Sequence, residues 1–421
     1  MASRDRIAVT RRQMLGGLAF AGAAGAGAAV IGGAAHARTA RDDDDIASNS
    51  AVPFYGSHQA GIATPVQERL AFGAFDVLPG SSRADVVGLL KEWTSAAARL
   101  TQGKELGTND VPVAPPDDTG EALGLPPSSL TITFGFGPTF FDGGGDRFGV
   151  ASRRPAALAD LPHFDGDALD PARSGGDIGV QVCADDAQVA YHALRNLTRI
   201  GRGVVGLRWM QEGFGRTAST SGAQSTPRNL MGFKDGTNNV HGDDAALMRA
   251  QVWVPHTDKP SWMRKGSYLV VRRIRMRIEV WDRSALDDQE KTIGRHKDSG
   301  AALGERHEHD PVDLHAKHGG EPVVPLDAHI RLAAPVTNHG HHLLRRGFSF
   351  TDGVDPATAA LDAGLFFLAY QRDPRKQFVP IQHRLAANDA LNEYIQHVAS
   401  AQFAIPPGAQ RGGWIGETLF A

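Results

Sequence analysis

The sequence contains a single cysteine, Cys183, among its 421 residues. One thiol cannot form an intrachain disulfide, and it cannot supply the cysteine ligands of a structural zinc or iron–sulfur site. The chain also has no large excess of charge of either sign, because its 44 lysine and arginine residues and 47 aspartate and glutamate residues leave a net charge of −3. The sequence therefore argues against a nucleic-acid partner, since such modules carry a strongly basic face.

The remaining composition is that of an ordinary folded protein. Hydrophobic residues make up 41% of the chain and charged residues 22%, which is enough apolar material for a core and excludes disorder of the whole chain. Glycine is abundant, with 49 residues, and predicts many loops. At roughly 150 residues per domain, the length predicts two or three domains or one large one.

Residues 1–37 are predicted to be a targeting segment that takes no part in the fold. Arg11 and Arg12 precede an apolar stretch rich in glycine and alanine, and an A-x-A cleavage pattern ends at Ala37. These features are typical of a twin-arginine (Tat) signal peptide, which predicts export to the periplasm or the extracellular space. A membrane anchor is the alternative, because the apolar stretch is long enough to span a bilayer. Residues 38–60 are expected to form a flexible leader.

Two similar halves follow, and each has strand and helix patterns in the order of a ferredoxin-like domain. The fold class is thus predicted to be α+β, a tandem pair of ferredoxin-like domains that each contain a four-stranded antiparallel sheet with helices. The N-terminal domain is predicted at 61–215, with a linker at 216–228 and the C-terminal domain at 229–421. Strands are predicted at 69–78, 129–136, 178–184, 204–210, 266–281, 343–350 and 364–371, and helices at 83–100, 284–297, 388–400 and from an N-cap at Asp185 to Ile200.

The first candidate site is the motif GFKDGTNN, which holds Asp235 between glycines. Glycine lets the backbone turn tightly, so this carboxylate could be held close to a flat ligand. A short GxxDG pattern alone is more often a polar turn. Here Asn229 and the residues Thr237, Asn238 and Asn239 extend the motif.

A concentration of histidines is the second candidate, since nine of the 17 histidines lie between His296 and His342. A zinc site could use His307 and His309, or His339, His341 and His342, but a solvated and weakly metal-binding tract explains these residues better. His329 differs because its neighbours are apolar and its segment resembles a strand. A histidine in such a place is usually a core residue, and it is also typical of a heme axial ligand.

Arg345 and Arg346 form the third candidate, in the apolar segment LLRRGFSF. A guanidinium on an apolar strand is costly unless an anion or a carboxylate meets it. A salt-bridged structural arginine and a functional arginine are equally good explanations of this segment by itself. Successive side chains of a strand point to opposite faces, so Arg346 is predicted to point away from the site and to tolerate substitution.

Taken together, the segments GFKDGTNN, DAHIRLAAP, LLRRGFSFTDG and GLFFLAYQRDPRKQFVPIQHRLA resemble the dye-decolorizing (DyP-type) heme peroxidases. With the signal peptide, the resemblance is to their Tat-exported EfeB-like (deferrochelatase/peroxidase) branch. It extends from about Ala60 to the C-terminus. The resemblance implies a heme b cofactor (iron protoporphyrin IX) in the C-terminal half. It also implies a peroxidase that reduces hydrogen peroxide and oxidises dyes, phenols or other donors through a ferryl intermediate.

The resemblance also implies roles for individual residues. His329 would be the proximal ligand of the heme iron. A carboxylate bound to the other imidazole nitrogen would strengthen this ligand, and Asp389 is our own candidate for it. Asp235 would be the distal acid–base residue, Arg345 the distal arginine and Asn239 a further distal polar residue. The residues implied to contact the heme are Gly236, Thr237, Asn238, His329, Ala334, Pro335, Val336 and Arg345. Ala334 departs from the family pattern, in which asparagine is frequent.

Two other functions compete with peroxidase activity. One is release of iron from heme, a deferrochelatase activity in which the tetrapyrrole is the substrate. The other is a periplasmic heme- or iron-binding carrier without turnover, for which the histidine tract would be a loading site. The expected partners are hydrogen peroxide and an organic electron donor, with iron-uptake components and a second copy of the chain as further candidates. No stable membrane span is expected after processing.

Overall fold

A computed structural model describes residues 51–108, 111–356 and 358–421. The predicted signal peptide, the membrane-anchor alternative and residues 38–50 of the predicted leader lie outside the described residues. Within the described ranges, no helix combines the length and the apolar character that crossing a bilayer requires.

The secondary structure alternates between strands and helices along the described chain. The strands are β1 (Arg69–Val77), β2 (Thr131–Phe136), β3 (Ile178–Ala184), β4 (Val205–Arg216), β5 (Ser267–Met276), β6 (Lys317–His318), β7 (Glu321–Pro322), β8 (Leu344–Arg345), β9 (Phe348–Val354), β10 (Leu361–Gln371) and β11 (Ile395–Ile405). The α-helices are α1 (Arg83–Leu100), α2 (Pro138–Asp142), α3 (Ala187–Ile200), α4 (Ala245–Gln251), α5 (Ile278–Trp281), α6 (Leu286–Ile293), α7 (His329–Ala333), α8 (Phe378–Asn388) and α9 (Glu417–Phe420).

Strands from both halves of the chain form one closed antiparallel ring. The order around it is β5-β11-β2-β3-β1-β4-β9-β10, and β10 pairs with β5 to close it. The two halves are joined where β2 meets β11 and where β4 meets β9. The fold is therefore mixed α/β with two halves, as expected, but its strands form a continuous sheet and not two separate ones. Aromatic side chains of the two halves meet in the core, as Phe72 does with Phe366 and Phe403.

Predictions in the N-terminal half agree closely with the structure. Helix α1 has the predicted bounds, and Ser82 and Asp85 form a capping box at its start. Its apolar stripe, which includes Trp93, is buried against the sheet. Helix α3 begins one residue later than predicted, because the carboxylate of Asp186, and not that of Asp185, accepts the backbone N–H groups of Gln188 and Val189.

The predicted helix at 388–400 is wrong. A 3-10 turn covers Ala390–Glu393, and the chain then enters strand β11. Strand β11 pairs with β5 along almost its whole length. Backbone hydrogen bonds to a neighbouring strand therefore overrode the local helical pattern, as tertiary context commonly does.

Three other elements in the C-terminal half differ from their predictions. Strand β5 ends at Met276, and the chain turns into helix α5, which buries Trp281 against Phe233 and Tyr394. The helix predicted at 284–297 is shorter, since Gly294 ends it with a positive φ of 90°. His329 begins helix α7 and does not lie on a strand.

The segment predicted as a linker is packed into the protein. Strand β4 extends to Arg216, and Thr217, Ser219 and Thr220 are buried. The hydroxyl of Thr220 donates a hydrogen bond to the carbonyl of Thr64 at 2.8 Å. A serine- and threonine-rich stretch thus folds here because its hydroxyls satisfy backbone groups.

Arg346 points away from the neighbouring Arg345 side chain, but it is fully buried, contrary to the expectation that it tolerates substitution. Its guanidinium donates hydrogen bonds to the carbonyls of Ile62 and Thr64 and, at 2.8 Å, to the side-chain oxygen of Gln67. Burial lowers the pKa of Arg346. This side chain therefore ties the residues before β1 to the C-terminal half.

Replacing Arg346 with leucine is expected to lower the free energy of unfolding by about 2–4 kcal/mol, because several buried oxygens would lose their donor. Urea unfolding followed by circular dichroism measures this change. Arg345→Leu is the matched control and should cost less than about 1.5 kcal/mol, since that guanidinium faces a cavity. Equal losses in the two variants would contradict the structural role assigned to Arg346.

Candidate active site

The C-terminal half contains a cavity of about 520 Å³, within the usual range of roughly 300–1,000 Å³ for cofactor and ligand pockets. The motif GFKDGTNN, helices α7 and α8, and strands β5, β8, β10 and β11 contribute to its wall. Most of the wall is apolar. The apolar side chains include Met231, Phe233, Ile274, Met276, Ile293, Ile330, Leu365, Phe367, Ile381, Leu385, Leu391 and Ile395.

His329 reaches this cavity from the first position of helix α7. Its Nδ1 lies 2.6 Å from Oδ2 of Asp389. The other carboxylate oxygen, Oδ1, accepts the backbone N–H of Leu391 at 2.9 Å. A carboxylate held in this way keeps the imidazole proton on Nδ1, so that the lone pair of Nε2 is available to a ligand.

Two carboxylates and a guanidinium act electrostatically on His329. Burial lowers the pKa of His329, but the charge and the hydrogen bond of Asp389 outweigh it and raise the pKa above the usual value. The charges of Asp235 and Arg345 also act on His329, in opposite directions. The histidine–carboxylate pair and the GFKDG carboxylate therefore belong to one site.

Asp235 is held in a tight turn of the chain. Its backbone N–H donates to the carbonyl of Pro227 at 2.9 Å, and Arg228 and Lys234 form an isolated β-bridge. Gly236 has a positive φ of 94°, and a Cβ there would come within 2.9 Å of the Cα of Ala218. Glycine is thus required after the aspartate both for the backbone conformation and for the close approach.

Arg345 and Asp235 form an ion pair in the cavity wall. The distance between Nη1 of Arg345 and Oδ1 of Asp235 is 2.7 Å, and the two side chains are 28% and 16% exposed. Partial exposure leaves both groups open to a ligand in the cavity. The site therefore contains a carboxylate able to take up a proton beside a cation that cannot lose one.

Asn239 does not line the cavity, although it was expected as a distal polar residue. Its side-chain amide forms hydrogen bonds with backbone groups. Oδ1 accepts the N–H of Arg345 at 2.8 Å, and Nδ2 donates to the carbonyls of Arg345 and Ser219. Asn239 therefore fixes the main chain from which Arg345 projects.

The other sequence-predicted site residues all border the cavity. These are Gly236, Thr237, Asn238, Ala334, Pro335, Val336 and Asp389.

Several cavity residues were missed by the sequence argument. They are Lys234, Arg295, Glu308, Gln382 and His397. Lys234 lies inside the GFKDG motif and could have been considered, whereas the others carry no local signal because their neighbours in sequence resemble ordinary strand, helix or loop. Burial and the neighbouring guanidinium of Arg272 lower the pKa of His397 to about 3, so His397 is neutral at physiological pH.

The zinc interpretation of the histidine tract finds no support in the described ranges, where no group of three or more histidine, cysteine or acidic side chains is arranged to hold a metal ion. His309, His341 and His342 line the cavity instead. Trp262 and Trp281 are buried, so neither offers a surface site for the oxidation of an electron donor.

The residues present suit a heme group. An imidazole with a free Nε2 is a common axial ligand of heme iron. The wall around it is apolar, as a porphyrin ring requires, and a carboxylate–guanidinium pair supplies the polar groups. Together these groups can bind a flat macrocycle and move a proton on a small ligand next to it.

Two family sequence models match this chain. The one described as "Dyp-type peroxidase, N-terminal" matches residues 59–215, and the one described as "Dyp-type peroxidase, C-terminal" matches residues 226–410. A curated relative, "Deferrochelatase" of Escherichia coli (strain K12), is 41% identical over 369 residues, covering 86% of each chain.

Solved structures with similar sequences also have the same fold. Ferric DtpA from Streptomyces lividans is 43% identical, with a TM-score of 0.80 over 88% of this chain and 97% of that one. A DyP-type peroxidase from Cellulomonas bogoriensis is 41% identical, with a TM-score of 0.79 over 89% of this chain and 99% of that one.

Proposed function

The chain belongs to the Dyp-type peroxidase family of heme enzymes, and from this premise we propose that His329 binds the heme iron while Asp235 and Arg345 act on peroxide. As a family member, the enzyme is a heme b-dependent oxidoreductase that reduces hydrogen peroxide and oxidises an electron donor. The observation that carries the residue assignment is the convergence of two pairs, His329–Asp389 and Arg345–Asp235, on one apolar cavity.

The chain's own groups account for binding and proton transfer. Bound heme supplies the redox chemistry by which peroxide is reduced and donors are oxidised. Asp235, as a carboxylate, accepts the proton of one peroxide oxygen and returns it to the departing oxygen. Arg345 stabilises the negative charge that develops on that departing oxygen.

The remaining groups keep these residues in place. Asp389 orients the imidazole of His329 and keeps its proton on Nδ1. Asn239 fixes the main chain of Arg345 from behind. The apolar wall excludes water, which strengthens the electrostatic effect of the guanidinium.

The test is the absorption spectrum of the purified protein before and after one equivalent of hydrogen peroxide. We expect a Soret band that changes on addition of peroxide and returns when a dye or a phenol is added and oxidised. A Soret band that peroxide leaves unchanged would contradict the peroxidase assignment and would favour a heme carrier.

Release of iron from heme is the second candidate function, because relatives that are 41% identical are named deferrochelatase. In this reaction the tetrapyrrole would be the substrate, and protons would replace iron on its nitrogens. Incubation with heme in the absence of oxygen, followed by porphyrin fluorescence, tests it. Protoporphyrin beyond the amount formed by heat-denatured protein would establish this activity, and its absence would leave the peroxidase alone. If iron release is established, iron-uptake components are the proposed partners.

We also propose that each half is a ferredoxin-like domain, at 61–215 and 229–421, with residues 216–228 between them. The strand orders β4-β1-β3-β2 in the first half and β11-β5-β10-β9 in the second support this assignment. We also propose that the protein forms a homodimer, and sedimentation would measure the mass of the assembly in solution.

We propose that the protein is exported by the Tat pathway, and this proposal can be tested at the paired arginines. Replacing both Arg11 and Arg12 with lysine is expected to leave the folded protein in the cytoplasm, because the paired arginines are the recognised signal. Cell fractionation measures this, and N-terminal sequencing of the exported protein should begin near Arg38. Arg6→Lys, outside the pair, is the control and should be exported normally. Normal export of the double variant would refute the assignment.

A further inference from the structure

One wall of the cavity belongs to the histidine-rich loop at residues 296–318, whose role the sequence does not explain. Residues 308–314 of this loop, the clasp, contribute six residues to the cavity lining. These are Glu308, His309, Asp310, Pro311, Val312 and Leu314. The loop is therefore part of the binding site and not a solvated appendage.

The start of the clasp is bound to the GFKDG motif through Glu308. Its carboxylate forms an ion pair with Lys234 and accepts the hydroxyl of Thr237 at 3.1 Å. The Glu308 side chain is only 12% exposed and that of Lys234 26%. Hydrogen bonds between ionised groups that are shielded from water are among the stronger polar contacts. Glu308 therefore fastens the loop to the residues on either side of Asp235.

The guanidinium of Arg295 holds the backbone of the clasp at Glu308. Nη1 of Arg295 donates to the carbonyl of Glu308 at 3.2 Å and to that of Gly300 at 2.7 Å. Arg295 is 7% exposed, so these hydrogen bonds are protected from water. Both the side chain and the main chain of Glu308 are thus held.

The other end of the clasp is bound to the helix that carries His329. Nη2 of Arg331, two residues further along α7, donates to the carbonyl of Leu314 at 2.8 Å. The clasp therefore connects the segment that holds Asp235 with the segment that holds His329. A bound macrocycle would be enclosed between these two segments.

We propose that the clasp retains the tetrapyrrole in the cavity and that Glu308 is the positioning residue that sets how fast it leaves. This inference rests on the proposed function, because it concerns the same cavity. Slow release is what a resident cofactor requires, whereas a tetrapyrrole substrate must leave after each turnover. The strength of the contact between Glu308 and Lys234 therefore favours retention.

Transfer of heme to an excess of apomyoglobin measures the release rate, independently of catalysis. Glu308→Gln keeps the shape of the side chain but removes its charge, and we expect release about tenfold faster, the loss expected for one charge-assisted hydrogen bond. Glu305→Gln is the matched control in the same loop, since the Glu305 carboxylate has no partner in the described part of the chain. It should change release by less than about twofold.

The exchanged pair, Lys234→Glu with Glu308→Lys, should restore slow release towards that of the unmodified protein. Equal release rates for Glu308→Gln and Glu305→Gln would overturn the proposal. So would a fast release that the exchanged pair leaves uncorrected, because the effect would then not come from this contact.

Hydrogen–deuterium exchange of the heme-free protein gives a second measurement. In Glu308→Gln, the amides of the clasp should exchange faster than in Glu305→Gln, and unchanged exchange would overturn the proposal. The two failures can be told apart, since a protein without a Soret band contradicts the proposed function, whereas the exchange rates still decide whether Glu308 holds the clasp.

Discussion

Loss of stable heme binding is the expected result of replacing His329 with alanine. Among the residues that the structure describes, His329 alone combines a place in the cavity wall with a carboxylate on Nδ1, which leaves Nε2 for iron. An alanine offers no ligand, and hydrophobic contacts alone would hold the macrocycle weakly. The Soret absorbance per protein, measured after gel filtration, should fall to a small fraction of its normal value.

His318→Ala is the matched control for this experiment. His318 lies in the same histidine-rich tract, but it is exposed on the short strand β6 and does not line the cavity. Its replacement should leave the Soret band unchanged. A His329→Ala protein that keeps a histidine-ligated spectrum would move the axial role to another histidine, and His397 or His342 in the cavity wall would be examined next.

The second large effect is expected when either member of the Arg345–Asp235 pair is replaced. A general acid–base group typically contributes about 10²–10⁴-fold to a rate, and loss of a charge-stabilising donor costs roughly 10²–10³-fold. Asp235→Asn and Arg345→Leu should therefore keep heme, because His329 is intact, and should react far more slowly with peroxide. Stopped-flow absorbance of the Soret band measures this rate.

The contact between the two side chains makes a further outcome predictable. Because Arg345 and Asp235 are 2.7 Å apart, the double variant should be little slower than the worse single variant, as is usual for groups that act as a unit. We expect Arg345→Leu to be at least as slow as Asp235→Asn, since a water molecule can replace a proton carrier but cannot supply the positive charge of a guanidinium. Near-normal reaction of Arg345→Leu with peroxide would exclude its proposed role.

Retention of heme and reaction with peroxide are thus expected to depend on different residues. Replacing Glu308 should change the release rate while Asp235 and Arg345 stay in place, whereas replacing either of those should slow the chemistry. Lys234, which contacts Glu308, directly precedes Asp235 in the sequence. One short motif therefore serves both the retention of heme and the reaction with peroxide.

Local sequence patterns predicted some elements well and others poorly, for a physical reason. Helix α1 was predicted with its bounds because its apolar stripe and its capping box are encoded within the helix itself. Residues 395–400 were predicted as helix but belong to β11, because the hydrogen bonds that decide their conformation come from β5, more than a hundred residues earlier. Arg346 was misjudged for a similar reason, since alternation along a strand says nothing about what covers the opposite face.

The sequence by itself determined the chemical groups of this protein: one cysteine, a near-neutral charge, an aspartate between glycines, an isolated histidine and an arginine on an apolar segment. Only the tertiary structure decided which of these groups meet. Arg345 and Asp235 are 110 residues apart, Lys234 and Glu308 are 74 apart, and His329 and Asp389 are 60 apart. Such contacts form only when the closed ring brings distant segments together, because local patterns specify the faces of helices and strands but not the partners that pack against them.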